Sequence, residues 1–212
     1  MIAALYVMPG GPYYGLPDVE PWGLPERDAR DYAGSWPVVA HPPCERWGRY
    51  WSGGPSARVR RQKGDDAGCF KAALASVREW GGVLEHPEGS WAWRFHGLVC
   101  PPKTGGWVAA GDGIGWTCCV EQGHYGHRAR KATWLYAAHV RLPSLKWGRC
   151  GNRVRLEEGH HSTAERKAAR LAGVLPIKRL SVCERSETPL AFRDLLIGIA
   201  ESANPGRAQE VR

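Results

Sequence analysis

The sequence predicts an α/β protein, and three observations carry that prediction. Short apolar runs at Ile2–Met8, Pro37–Ala40 and Val83–Glu85 each stop at a Pro- or Gly-containing turn, as buried strands do. An amphipathic helical pattern separates the second run from the third. The resulting order, strand–crossover–strand–helix–strand, is that of a mostly parallel sheet flanked by helices.

The first strand breaks at Pro9-Gly10-Gly11-Pro12. Residues 12–36 are rich in Pro, Gly and aromatics and read as loop, with a helical turn around Glu26 to Asp31. The second strand ends in His41-Pro42-Pro43-Cys44. Residues 45–64 carry Arg46, Arg49, Arg58, Arg60, Arg61 and Lys63 among Gly and Ser, a basic loop. Asp65 or Asp66 caps the helix that follows, whose Phe70, Ala73, Leu74, Val77 and Trp80 share one face. Gly81-Gly82 ends it, and the third strand closes at His86-Pro87. Residues 99–115 read as loop. Two further strands are predicted at Thr117–Glu121 and Thr133–Ala137, with a basic loop between them. Residues 141–163 are irregular, Ala164 to Leu171 form a basic helical turn or two, and Pro189 to Ser202 form a helix with Phe192, Leu195, Leu196 and Ile199 on one side. The divisions are a catalytic α/β unit at 1–139, an irregular basic segment at 140–188, a helix at 189–203 that packs back, and a polar tail at 204–212.

Composition narrows the partners. The chain has 212 residues, with 29 Lys+Arg against 21 Asp+Glu and a net charge of +8, which points to a polyanion. No apolar run approaches the ~20 residues of a membrane span, and the N-terminus lacks the basic start of a signal peptide. The seven Cys are an odd number without a framework, which predicts free thiols and a cytoplasmic setting. Of the 11 Trp, Trp80, Trp93 and Trp134 lie on apolar faces and read as core. Trp47 and Trp51 flank the Cys44 turn in the basic loop, where base stacking is an alternative to packing.

Three constellations could carry chemistry. Pro42-Pro43 fixes Cys44 beyond a strand end, where α/β ligand sites lie, and His41, Arg46 and Arg49 are close enough in sequence to favour a thiolate. The alternative is a structural Cys in a Pro-rich turn. Glu85 and His86 follow another short strand, so a thiol and a carboxylate could converge on one ligand; a surface Glu is the plainer reading. His124-Tyr125-Gly126-His127-Arg128-Ala129-Arg130-Lys131 interleaves cations with an aromatic, suited to phosphate or simply to solvent. Cys118, Cys119, His124 and His127 have poor zinc spacing, and no metal site is predicted.

The order of these motifs resembles that of the C5-cytosine DNA methyltransferases. Ala40-His41-Pro42-Pro43-Cys44 is similar to the family's Pro-Pro-Cys turn, and Val83-Leu84-Glu85-His86-Pro87 to its Glu-Asn-Val turn, with His86 in place of Asn. Gly126 to Tyr136 is similar to its Arg-rich motif before a strand, and Thr188-Pro189-Leu190-Ala191-Phe192 to its closing motif. The resemblance implies a reduced Rossmann-like methyltransferase fold. It also implies Cys44 as the nucleophile at C6 of a flipped pyrimidine and Glu85 as the acid that binds N3 and the exocyclic group. His41, Arg46, Arg49, His86, Arg128, Arg130 and Lys131 would face the base or its DNA backbone. S-adenosylmethionine would donate the methyl group from a pocket of Pro9, Gly10, Gly11 and Asp28. The chain departs from the family between Gly11 and Val38, where 26 residues leave little room for a second strand ending in an acidic residue. A different donor for C5 chemistry, and a non-catalytic nucleic-acid-binding module, are the alternatives. The segment 140–188 stands where relatives hold a target-recognition domain.

Overall fold

The computed structural model describes residues 1–48, 51–52, 58, 61–152, 154, 156, 163–173 and 180–204. Among these, one sheet has seven strands: β1 (Ile2–Leu5), β2 (Val19–Trp22), β3 (Val38–Ala40), β4 (Gly82–Pro87), β5 (Val108–Ala109), β6 (Trp116–Glu121) and β7 (Ala132–Ala138). The helices are α1 (Cys69–Trp80), α2 (Trp91–Phe95), α3 (Thr163–Leu171), α4 (Val182–Ser186) and α5 (Leu190–Glu201).

The strand order is β2-β1-β3-β4-β7-β6-β5. The pairings β1–β2, β1–β3 and β3–β4 are parallel, whereas β4–β7, β7–β6 and β6–β5 are antiparallel. The sheet is therefore mixed rather than mostly parallel. The cause is local: the connection from β6 to β7 is only ten residues, too short for a crossover, so β7 returns antiparallel. The gap after Gly11 holds a strand after all, because β2 needs only four residues and reaches the sheet edge without a helix.

Alternation along each strand divides the core in two. Ala3, Leu5, Val38, Ala40, Leu84 and Tyr136 face α1 and α2 through Phe70, Leu74, Val77 and Trp93. Ile2, Ala4, Val39, Val83, Leu135 and Ala137 face α5 through Phe192, Leu196 and Ile199. Trp47 belongs to the first layer: it is 1% exposed and packs against Phe70, so it is core and not a stacking platform. Trp93 and Trp134 are buried as the sequence predicts, and Trp80 is partly buried against the same layer.

Helix α1 starts where Asp66 accepts from the Gly68 and Phe70 amides at 3.0 and 2.8 Å, supplying orphan first-turn donors with an acceptor. It ends at Gly81, and Gly82 then begins β4 at φ +125° beside Val38. A Cβ on Gly82 would lie 1.9 Å from the Val38 carbonyl oxygen, so this contact of β3 with β4 needs glycine. No helix among the described residues is long and apolar enough to cross a membrane. All seven cysteines are free thiols.

Candidate active site

Parallel strands deliver their carboxyl ends to one edge of the sheet. β1, β3, β4 and β6 all finish there, and β7 begins there. The order reverses direction between β1 and β3, the switch point at which open α/β sheets bind ligands. The side chains met at this edge are Tyr13 after β1, His41 and Cys44 after β3, Glu85 on β4, Gln122 after β6, and Lys131 and Thr133 leading into β7.

Tyr13, His41, Glu85, Gln122 and Thr133 form a continuous hydrogen-bonded chain. Tyr13 Oη and His41 Nε2 are 2.8 Å apart, and His41 Nδ1 lies 3.0 Å from Glu85 Oε2. Gln122 Nε2 donates to Glu85 Oε1 at 3.2 Å and to Thr133 Oγ1 at 2.9 Å. The Thr133 hydroxyl donates to the Lys131 carbonyl at 3.1 Å. Tyr13 and Gln122 are fully buried, while the His41 and Glu85 side chains are each 13% exposed.

The charges at this edge are coupled. Burial pushes the Glu85 carboxyl up, but the His41 hydrogen bond and the nearby Lys131 ammonium outweigh it and hold Glu85 below its ordinary range. Burial lowers the Lys131 ammonium, and Glu85 and Cys44 pull it back. Lys131 sits at φ +44° with its Nζ donating to the Glu187 carbonyl at 2.6 Å. The Cys44 side chain reaches solvent, yet the surrounding protein removes enough hydration to raise its thiol; Glu85 raises it further and Lys131 opposes.

Strand alternation separates Glu85 from its neighbour. His86 points to the opposite face, is 1% exposed, and lies between Phe70 and Trp93 at centroid distances of 5.2 and 6.1 Å. Its Nδ1 meets Ser90 Oγ at 2.7 Å. Its Nε2 has no hydrogen bond of good geometry, although the Pro42 and Pro43 carbonyls lie beside the ring. His86 thus braces the Cys44 turn from the core and does not face the ligand edge. Burial drives its pKa down to about 4.

The remaining sequence candidates scatter. Arg46 is partly exposed beside Glu45 at 3.7 Å. Arg128 pairs with Glu184 on α4, and His127 next to it meets the Glu184 carbonyl at 3.0 Å, so α4 covers this loop. Arg130 is partly buried, and its carbonyl accepts from the Gly123 amide at 3.0 Å. Arg49, Arg60, parts of 140–188 and the tail from 205 lie outside the described residues. Cys118 and Cys119 fall in opposite core layers, and no group of His, Cys, Asp or Glu among the described residues could hold a metal ion.

The residues that the resemblance assigns to an S-adenosylmethionine pocket, Pro9, Gly10, Gly11 and Asp28, lie in the loops that follow β1 and β2. Met8-Pro9-Gly10-Gly11 is a tight turn with Pro second and Gly10 at φ +69°, and the Gly11 amide closes it on the Met8 carbonyl at 2.9 Å. Asp28 is paired with Arg30 and accepts the Arg30 amide at 2.9 Å. Glu20 is paired with Arg27 and accepts from Trp22 Nε1 at 3.1 Å. Asp18 precedes β2 at the opposite sheet edge. Glu26 accepts from Tyr14 Oη at 3.4 Å, and Asp31 lies exposed in the short helical turn after Asp28.

Sequence reasoning missed Tyr13, Gln122 and Thr133. Tyr13 stands among loop aromatics, and the other two become legible only when register places β6 and β7 next to β4. Compared with protein-family models, with curated proteins and with solved structures, the chain matches none.

Proposed function

We propose that this protein modifies pyrimidine bases at C5, with Cys44 adding covalently to C6 and Glu85 holding the ring edge. One observation carries the reading: neighbouring parallel strands β3 and β4 bring a solvent-reaching thiol and an ionised carboxylate to the switch-point edge, with Lys131 electrostatically coupled to both. The net charge of +8 favours DNA or another pyrimidine-containing nucleic acid as the carrier of the base. In a duplex the base would have to leave the stack to reach this edge.

The chemistry follows from the groups present. The Cys44 sulfur forms a bond to C6, and the C5=C6 pair moves to C5, where an electrophile is taken up. Lys131 is the cation that offsets the charge developing on the ring. Transfer of the C5 proton to solvent water restores the double bond and expels the sulfur with its electron pair. None of these steps depends on which donor supplies the electrophile.

A donor-free assay tests this. In D₂O, Cys44 addition followed by deuteration at C5 and elimination exchanges the C5 hydrogen of the base. Mass spectrometry of nucleosides from incubated oligonucleotides should show a one-deuteron gain that Cys44→Ala abolishes. The raised Cys44 thiol favours a second reading, a binding module without turnover. That reading gives salt-dependent binding indifferent to Cys44 and no exchange on any base.

A further inference from the structure

We infer that the pyrimidine taken by this site carries a hydrogen on N3, which makes it a uracil rather than a cytosine. The inference rests on the pyrimidine reading above and concerns which base that site accepts. It comes from the lock around Glu85.

Each oxygen of Glu85 accepts from a protein donor, and each donor is fixed by a second bond. Tyr13 is buried, and His41 is its hydroxyl's one partner among the described hydrogen bonds, so the hydroxyl donates to His41 Nε2. The imidazole proton therefore sits on Nδ1 and points at Glu85 Oε2. On the other side, the Thr133 hydroxyl hydrogen is engaged by the Lys131 carbonyl, so Thr133 Oγ1 accepts from Gln122. That sets the amide nitrogen of Gln122, not its oxygen, against Glu85 Oε1. A carboxylate between two such donors is ionised, and every lone pair it has left can only accept.

The two pyrimidines meet such a group differently. Uracil presents N3–H between two carbonyls. Glu85 accepts the N3 hydrogen, and the Lys131 ammonium is available to a flanking carbonyl. Cytosine presents a lone pair at N3, which faces Glu85 acceptor to acceptor unless an additional proton is captured. The hydrogens of Tyr13, His41 and Gln122 are already engaged in the bonds just given, so none of them is left to supply it. Thymine also has N3–H but bears a methyl group where the exchangeable hydrogen must be, so uracil is the reactive class.

The C5 exchange assay decides, using the full-length protein and single-stranded oligonucleotides that contain one deoxyuridine or one deoxycytidine. Cys44-dependent deuterium uptake should be on the order of 100-fold faster, or more, at uracil, as sites built around one hydrogen bond discriminate. Equal or faster uptake at cytosine overturns the inference and leaves the C5 reading standing. No uptake at either base overturns the reading on which it rests. Glu85→Gln, whose amide offers both a donor and an acceptor, should bring the two rates to within about tenfold. A preserved uracil preference in that variant also counts against the lock.

Discussion

The Cys44 sulfur feels Glu85 and Lys131 with opposite sign: the carboxylate raises its pKa and the ammonium lowers it. Thiolate fraction, and with it nucleophilicity, is therefore tunable from both sides. Glu85→Gln should accelerate alkylation of Cys44 by iodoacetamide near neutral pH, and Lys131→Gln should slow it, each by roughly threefold to tenfold, since one unit of pKa is a tenfold change in thiolate. Peptide mass spectrometry assigns the label to Cys44 among the seven thiols. Rates that move in the same direction in both variants would show that Cys44 is not coupled to these two charges. At this scale the sequence was a partial guide. The Pro-Pro turn and the strand-end Glu85 were legible because local chain stiffness and strand length place them. The partners Tyr13, Gln122 and Thr133 were not, because their positions depend on strand order, which no local pattern encodes. His86, grouped with Glu85 in the sequence, points to the opposite face of the sheet, because period-two alternation separates consecutive strand residues.

Asp66 joins two elements that the sequence treats separately. Its carboxylate caps α1 at the Phe70 amide and also accepts from Trp47 Nε1 at 2.7 Å, tying the chain after Cys44 to the helix. Asp66→Ala removes a cap and leaves a buried indole N–H unpaired. It should lower stability by about 2–3 kcal/mol in urea unfolding, whereas loss of an exposed cap alone costs about 1 kcal/mol. Gly82→Ala makes a different test. Its Cβ has no room against the Val38 carbonyl, and the positive φ adds strain, so the damage falls on the β3–β4 pairing that aligns Cys44 with Glu85. A loss beyond about 3 kcal/mol, or failure to fold, is expected; a wild-type melting curve would show that the pairing tolerates displacement. Among the elements, α1, β3, β4, β6, β7 and α5 were legible from periodicity and caps. β2, β5, α2 and α4 were not: β2 (Val-Glu-Pro-Trp) is partly exposed at the sheet edge and so forms no apolar run as β1 and β3 do, while a strand of two residues and helices of five carry too few positions to show a period.

For the molecule as a whole, the mixed sheet is what brings the site-bearing ends of β1, β3, β4, β6 and β7 to one edge, and it also buries ionisable groups whose protonation opposes folding. His86 titrates near 4 in the fold because burial penalises its charged form, against 6.5 when exposed. The unfolded chain therefore binds the extra proton first. The stability tied to a neutral His86 is complete above about pH 6.5 and is lost as the pH falls toward 4, amounting to about 3 kcal/mol. Asp112 acts lower on the scale. Burial raises its carboxyl, but the Gly115 and Ile114 amides, the Tyr136 hydroxyl and Arg78 together hold it at about 2, against 3.8 when free. Its contribution, about 2 kcal/mol, is intact above pH 4 and disappears between 4 and 2. Acid unfolding should accordingly proceed in two stages of weakening. The urea midpoint should fall measurably from pH 7 to pH 4.5, before carboxylates in Asp112's position titrate. His86→Gln, which cannot take up a proton, should flatten this first stage while leaving the second in place. A wild-type midpoint that stays constant down to pH 4.5 would mean that His86 is hydrated or paired in solution, and the support of the Cys44 turn by a neutral buried imidazole would fall with it.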